Sequence, residues 1–369
     1  MSTVRLVLSL AVAAAWVPAA AVSDGPLGVG TPGTFRGLFL EMPLGDARGA
    51  GKTLVDLRWW AANDWSVPTR LSRGARVVSV HQDAQADVLQ LSVSLPWSRL
   101  VLPPPLVRVE TTAELRLYER WGGWTDGPIE WWHGVIGSWN FRRGFYPRNA
   151  VHLRLAEEGG RTLVDVHHAQ PAMGDLTLRT QAPIWMGGSV DGQRPRWALS
   201  VRADVKLPTG RLAVLGGSGG LDAGAGLAVT AAVVRFLTLH GQGVVRLVSP
   251  LPHAFPLQVQ TIQWAVDLSM VIRLGKQVAV LAEDRLSSPL FKGGWGLPRE
   301  EPRPEATAYY SLFRPYNQIS GGVRVGEVTL FLCEDFTPGK RLAGDPGPRW
   351  FYDSNSPDVL IGLAWSRTL

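Results

Sequence analysis

The chain has a single cysteine, Cys333, among 369 residues. That excludes an intrachain disulfide framework and, for a thiol standing alone, argues no redox chemistry. Lysine is scarce too: of 37 basic residues only Lys52, Lys206, Lys276, Lys292 and Lys340 are lysine, so 32 arginines stand behind the formal net charge of +6. Those arginines are dispersed, which excludes the basic patch of a nucleic-acid binder and favours anions such as lipopolysaccharide phosphates. Past the N-terminus the best candidate for a helical span, Ala223 to Val234 between Asp222 and Arg235, is too short for the roughly 20 apolar residues a bilayer requires.

At the N-terminus Arg5, the apolar run Leu6 to Trp16, Pro18 and the small residues Ala19-Ala20-Ala21 read as an export signal over residues 1–21, leaving a mature chain of residues 22–369. No cysteine follows to carry a lipid anchor. An exported chain without a spanning helix is either soluble or a closed barrel, since only these satisfy every backbone polar group. With 46% hydrophobic residues, 41 Gly, 27 Pro and 16 Trp it reads as aromatic, turn-rich strands.

The segment Leu199-Ser200-Val201-Arg202-Ala203-Asp204-Val205-Lys206-Leu207 alternates apolar and polar residues without a break, so a strand there has one aliphatic and one polar face. The pattern recurs in Val55 to Trp60, Leu89 to Leu95, Ala113 to Tyr118, Val151 to Leu155, Thr162 to His168, Asp175 to Trp185, Arg196 to Leu207, Gly224 to Leu237, Gly243 to Ser249, Gln260 to Leu274, Gln277 to Glu283, Thr307 to Phe313, Gly321 to Val325, Val328 to Asp335 and Asp358 to Thr368. Thr34 to Met42 is a weaker strand candidate. Short turns such as Gly275-Lys276 alternate with long connections such as Ser287 to Pro304, the wiring of an outer-membrane barrel. The fold expected is all-β: an antiparallel transmembrane β-barrel of about 12 to 14 strands. A soluble periplasmic β-sandwich, whose aliphatic faces pack on each other, shares the same alternation.

One segment departs from period two. Asp126-Gly127-Pro128 opens a short helix, and Ile129, Trp132 and Ile136 fall on one side of it, making a helical insertion over residues 126–148. It either folds into or over the lumen as a constriction or lies at the membrane surface on Trp131, Trp132 and Trp139. The run Ile129-Glu130-Trp131-Trp132-His133, with Gly137 and Arg143 downstream, resembles the insertion of an uncharacterised family of Gram-negative outer-membrane proteins, domain-of-unknown-function family 3187. Leu207-Pro208-Thr209-Gly210 continuing to Asp222, and the ending from Glu334-Asp335 to Trp365, resemble that family as well, whereas Trp139-Asn140-Phe141-Arg142 departs from its turn. The resemblance implies a transmembrane barrel and brings no known substrate. The last strand, with Val359, Ile361, Leu363 and Trp365 alternating, carries a weakened form of the signal read by the outer-membrane assembly machinery, because Arg367 interrupts the face and Leu369 stands where such barrels end in an aromatic.

Motif matches for chemistry fail on context. Gly216-Gly217-Ser218-Gly219-Gly220 fits G-x-S-x-G but no helix follows. Gly28 to Gly33 fits G-x-G-x-x-G with Pro32 where a helix would open, and Gly51-Lys52-Thr53 lacks the spacing of a phosphate loop. His167 and His168 are neighbours on a strand and point to opposite faces, and Glu130 with His133 is a lone i, i+3 pair, so no catalytic residue, metal or cofactor is expected. The functional residues expected are those of the polar face: Asp56, Arg58, Glu114, Arg116, Arg154, Arg202, Asp204, Lys206, Asp267, Arg273 and Glu283, which face the lumen if the aliphatic face meets lipid. Such a barrel is a passive pore or transporter for small solutes, or else a structural or assembly barrel with a plugged lumen; a hydrolase lacks any recognisable Ser-His spacing.

Overall fold

The computed structural model describes residues 23–30, 33–49, 51–97, 109–136, 147–189, 195–251, 255–295, 312–336 and 359–369. In chain order the described strands are β1 (Leu54–Arg73), β2 (Arg76–Pro96), β3 (Glu110–Trp121), β4 (His152–Glu157), β5 (Thr162–Val166), β6 (Gln170–Met173), β7 (Leu176–Gly187), β8 (Trp197–Leu207), β9 (Asp222–Val234), β10 (Leu237–Leu247), β11 (Ile262–Arg273), β12 (Val278–Ser287), β13 (Tyr316–Val325), β14 (Val328–Asp335) and β15 (Val359–Thr368), and helix α1 (Asp126–Ile136) follows β3. Antiparallel pairing runs from β1 through β2, β3 and β7 to β15, and β15 pairs back onto β1 from Leu54↔Thr368 to Asn63↔Val359, so the sheet closes. β6 and β7 both pair with β3, one residue out of step at Gly174, whose N–H donates to the Arg116 carbonyl (2.7 Å); together they are one bulged wall strand. The wall is therefore a closed 12-stranded antiparallel barrel, within the range read from the sequence.

Side chains alternate between two very different surroundings. On β11, Trp264, Val266, Leu268 and Met270 point outward and are 38 to 60% exposed, while Gln263, Ala265, Asp267, Ser269 and Val271 point inward and are buried. Paired residues share a face, so Leu227, Val229, Val245, Leu247, Ile319, Val323 and Leu330 continue the outward apolar surface around the wall. So broad an apolar exterior over a polar interior is the inverse of a soluble protein and defines a membrane-spanning barrel.

The two ends differ. Turns of Arg235-Phe236, Leu274 to Gln277 and Gly326-Glu327 close one end, where β1 begins and β15 finishes, while β8, β10, β12 and β14 end, and β9, β11, β13 and β15 begin, at the other, where 14 to 28 residues separate each pair in sequence. β1 and β2 have 20 and 21 residues, about 66 Å of strand at 3.3 Å per residue against a hydrocarbon core of about 30 Å. Their surplus projects past the long-loop end and turns at Gly74, which takes φ +61. There the β4–β5 hairpin adds to β2 along Val78 to Asp83. The inner face of this added sheet, with Leu71, Val78, Val80, Leu153, Leu155, Val164 and Val166, packs with Leu251, Phe255, Leu257, Leu290 and Phe291 of the long loops into an apolar cap over the barrel mouth.

Two expectations need correction. Thr34 to Met42 is not a strand: it contains a single 3-10 turn at Arg36–Leu38, and Phe35, Leu38, Phe39, Leu40 and Met42 are buried irrespective of parity because the segment is surrounded on all sides. The described part of the 126–148 insertion, helix α1, does not enter the lumen. Helix α1 sits on the outer face of the wall near the long-loop end, where Gln85, Asn63 and Glu334, all at outward positions, receive it: Gln85 Oε1 accepts the Trp124 N–H (2.9 Å), Asn63 Nδ2 donates to Thr125 and Asp126, and Trp132 Nε1 donates to Glu334 (3.0 Å). Ile129 is buried, Trp131 and Val135 are exposed, and Glu130 pairs with Arg148, so the helix turns an apolar side away from the wall. His133 lies on the helix; Arg143, Trp139 and most of Thr307 to Phe313 fall outside the described residues.

Candidate functional site

The lumen is occupied by residues 23–30, which climb from the short-turn end, and 33–49, which reach the cap and return. On the way up, Arg324 donates to the carbonyls of Ser23 (3.0 Å), Gly25 (2.9 Å) and Pro26 (3.3 Å), Arg58 to those of Leu27 (2.9 Å) and Gly28 (2.8 Å), and the Glu283 carboxylate accepts the N–H groups of Gly28 (2.8 Å) and Val29 (3.2 Å). At the top Thr34 bonds Asp64 through both its N–H and its hydroxyl, and Arg36 donates to the Ser288 carbonyl (3.1 Å), while Phe35, Leu38 and Phe39 enter the apolar cap. On the way down, the Leu40 N–H donates to Asp222 (2.9 Å), Arg246 to the Leu40 carbonyl (2.8 Å), Gln242 to that of Met42 (2.8 Å), Arg202 to that of Pro43 (2.6 Å) and Gln181 to that of Asp46 (2.5 Å); the Ala47 N–H donates to Thr230 (2.9 Å). A backbone without a neighbouring strand must find its partners elsewhere, and here the wall's side chains supply them.

The wall makes room for this plug. Inward positions of β9 are Asp222, Gly224, Gly226, Ala228, Thr230 and Ala232, nearly all small. A Cβ at Gly224 would stand 2.4 Å from the Met42 sulfur, and Ala228 packs with Ala47 and Ala198. The descending limb thus lies against the flattest stretch of the wall.

Charged side chains form a connected belt around the plug. Glu114 holds Arg116 (3.0 Å) and Arg179 (2.6 Å), Arg116 reaches Glu41 of the plug (3.0 Å), and Arg179 continues to Asp204 (3.3 Å), which pairs with Arg202 (3.2 Å). Gln242 bonds both Arg202 and Asp267 (2.9 Å to the latter), and Asp267 faces Arg285 at 3.3 Å. Lys206 pairs with Asp175 (2.6 Å) and Asp222 (3.3 Å). Removing one member of such a buried set strands its partner in a low-dielectric space.

Of the residues read from the sequence, Asp56, Arg58, Glu114, Arg116, Arg202, Asp204, Lys206, Asp267 and Glu283 stand on the inner face, where Arg58, Arg116, Arg202 and Glu283 bond the plug directly and the others pair with one another or with neighbouring wall and loop residues. Arg273 sits at the rim, its guanidinium bonded to the Arg235 carbonyl. Arg154 is a correction: β4 lies outside the ring of wall strands, and Arg154 pairs with Asp165 on the outer surface of the cap. The sequence reading missed Arg179, Gln181, Asp222, Gln242, Arg246, Arg285 and Arg324, all on inward parity; the alternation that found their neighbours would have found them. It also missed the plug, whose irregular backbone carries no period.

At the short-turn end a cavity of about 680 Å³ remains between plug and wall, reaching the rim residues Leu54, Glu327 and Thr368. Asp24, Asp46 and Arg48 line it from the plug, and Asp56, Arg58, Gln90, Ser92, Arg179, Arg202 and Arg324 from the wall. Arg48 is tied to Asp46 (2.6 Å) and Asp24 (3.1 Å), so the plug side sets one guanidinium against two carboxylates. The space is a vestibule of both signs, sized for a small polar solute.

No family model matches the chain, and no curated protein does. Among solved structures, an outer membrane channel from Pseudomonas putida F1 aligns over 86% of this chain and 96% of its own with 9% identity and a TM-score of 0.48. The NanC porin aligns over 84% and 98% with 10% identity and a TM-score of 0.38, and a Pseudomonas aeruginosa FadL homologue over 85% and 89% with 10% identity and a TM-score of 0.33. At that level the comparisons say nothing of what this barrel carries.

Proposed function

We propose that the protein is a plugged channel for small solutes in the outer membrane of a Gram-negative bacterium. In this reading residues 1–21 are its export signal, β15 is the strand the assembly machinery reads, lipopolysaccharide and lipid surround the wall, and the chain is a member of domain-of-unknown-function family 3187 without enzymatic activity. The observation that carries the channel is that the lumen is filled by residues 23–30 and 33–49 through hydrogen bonds to wall side chains and not by sheet pairing, so the plug can leave while the wall keeps its ladder of backbone bonds. The vestibule of about 680 Å³ beside it supports the same reading. The density of those anchors favours the second reading, a structural barrel that stays shut.

Planar-bilayer recording separates the two. The full chain is expected to show intermittent single-channel openings that disappear when the plug is tied to the wall by a disulfide between Ala47→Cys and Ala228→Cys, in a Cys333→Ser background, and return on reduction. Silence in the reduced state, and equally in a variant with a loosened plug, would leave the structural barrel standing.

A further inference from the structure

The outer face of the cap carries a group of side chains that belongs neither to the lumen nor to the lipid-facing surface. Register places them: Asp83 of β2 stands opposite His152 of β4, Arg154 opposite both His81 and Asp165, and His167, the residue after β5, follows Val166, which pairs with Leu153. His167 therefore meets His152 across the hairpin. His168, its neighbour in sequence, takes no part. One ligand atom each from His152, Asp165 and His167 lie within 4.8 Å of one another; Asp165 Oδ1 is 2.8 Å from His167 Nε2 and 3.8 Å from His152 Nε2.

Two further observations point to a ligand. His152 Nε2 is shut off from solvent yet has no hydrogen-bond partner, an uncommon and costly state for a ring nitrogen. Its other nitrogen, Nδ1, lies 2.8 Å from Nδ1 of His81, a residue only 6% exposed, so the ring is held from behind with Nε2 turned toward Asp165. Metal-ligating histidines are oriented in this way, by a partner on the nitrogen that does not bind.

We propose that His152, Asp165 and His167 form a binding site for a divalent transition-metal ion of the zinc class. Two imidazoles and one carboxylate suit zinc, nickel or copper, whereas calcium and magnesium demand oxygen ligands. Bonds of about 2.0 to 2.2 Å around a four-coordinate ion place donors about 3.4 Å apart, so closing the site takes side-chain movements of about 1 Å. Three protein ligands leave a fourth position for water. Arg154 holds the other carboxylate oxygen, Oδ2, which fixes Asp165 with Oδ1 facing the rings, and its charge sets an upper limit on cation affinity. The ion would join β4 to the residue that follows β5, stapling the hairpin that covers the barrel mouth, and none of this depends on the channel reading.

The test uses the full-length barrel in detergent without a histidine tag, stripped with a chelator and titrated with Zn²⁺ by calorimetry and with Co²⁺ by visible absorption. One saturable equivalent is expected. His167→Ala and Asp165→Asn should each weaken it by more than about tenfold, the scale at which even outer-sphere partners act. His167 is largely exposed, and an unheated band that still shifts on boiling shows that each variant is folded. Absence of saturable binding in the unaltered chain, or equal affinity in folded His167→Ala and Asp165→Asn, overturns the assignment.

Discussion

Leu40→Ala asks whether the plug is a separable part. Leu40 is fully buried at the turn from the ascending to the descending limb and packs with Met42, Val244 and Ala265. Truncating a buried leucine costs about 2 to 5 kcal/mol. Both backbone bonds of Leu40, to Asp222 (2.9 Å) and from Arg246 (2.8 Å), survive the change, which keeps the expected loss near the lower end, about 2 to 3 kcal/mol. At 1.4 kcal/mol per decade, the equilibrium between seated and released plug shifts by roughly 30- to 150-fold. The wall should hardly notice, because none of its strand pairing runs through residue 40. Planar-bilayer recording should therefore show a rise in open probability of that order, limited only by saturation, and protease added at the short-turn side should cut within residues 23–49. The unheated band should remain compact, and Leu227→Ala, on the outward face, serves as the neutral control. If Leu40→Ala instead lowered the temperature of the band shift and left conductance and cleavage unchanged, plug and wall would unfold as one unit and the reasoning would fail.

Leu268→Arg places a charge on the middle of the outward face of β11, at a site now 60% exposed, and should destabilise the folded barrel by about 2 to 4 kcal/mol in lipid vesicles; a loss under about 1 kcal/mol would place that residue at an interface. Gly122→Ala puts a Cβ 1.8 Å from the Asn149 carbonyl oxygen, a backbone contact that cannot yield cheaply, so proteolysis around residues 122–150 should accelerate while conductance is retained; unaltered cleavage would contradict the packing of α1. Hydrogen bonds from Arg76 to Glu157 and from Arg70 to Glu158 hold both carboxyls below their ordinary pKa. Their contribution is present above the unfolded carboxylate value near 4.5 and is lost as pH falls below it through the lower folded-state values, so hydrogen exchange in the β4–β5 hairpin should quicken between pH 6 and pH 3. An unchanged rate over that interval would show that these surface pairs do not hold the hairpin.

Period two in the sequence was enough for the wall, because each wall strand meets lipid on one side and polar groups on the other. β11 and β12 repeat exposed and buried positions almost without exception. The same logic misplaced Arg154. Its segment alternates like a wall strand, but β4 has an apolar cap on one side and water on the other, and alternation does not distinguish water from lipid. The position of α1 was beyond a one-dimensional reading for another reason: its docking depends on Gln85, Asn63 and Glu334, three residues brought together only when β14, β15, β1 and β2 lie side by side. His152 and His167 likewise become neighbours only through the register of a hairpin.

The plug left one trace in composition. The scarcity of lysine has an internal cause as well as the attraction to anions that the arginine excess implies. Arg36, Arg58, Arg202, Arg246 and Arg324 each donate to a main-chain carbonyl along the plug or beside its tip, Arg58 to two and Arg324 to three, often while another nitrogen of the same guanidinium pairs with a carboxylate: Arg58 holds Asp56, and Arg202 holds Asp204. A planar fork with five donors can serve a carboxylate on the wall and a carbonyl on the plug at once, whereas an ammonium is a compact, strongly hydrated point charge. The inner-face lysine, Lys206, instead meets two carboxylates, Asp175 and Asp222. An irregular backbone threaded through a barrel exposes carbonyls at intervals that no sheet satisfies, and arginine is the side chain whose geometry fits that demand. An excess of arginine over lysine on inward strand positions, beside a strand whose inward residues are mostly small such as β9, is thus a sequence mark of a lumen that holds chain and not only water.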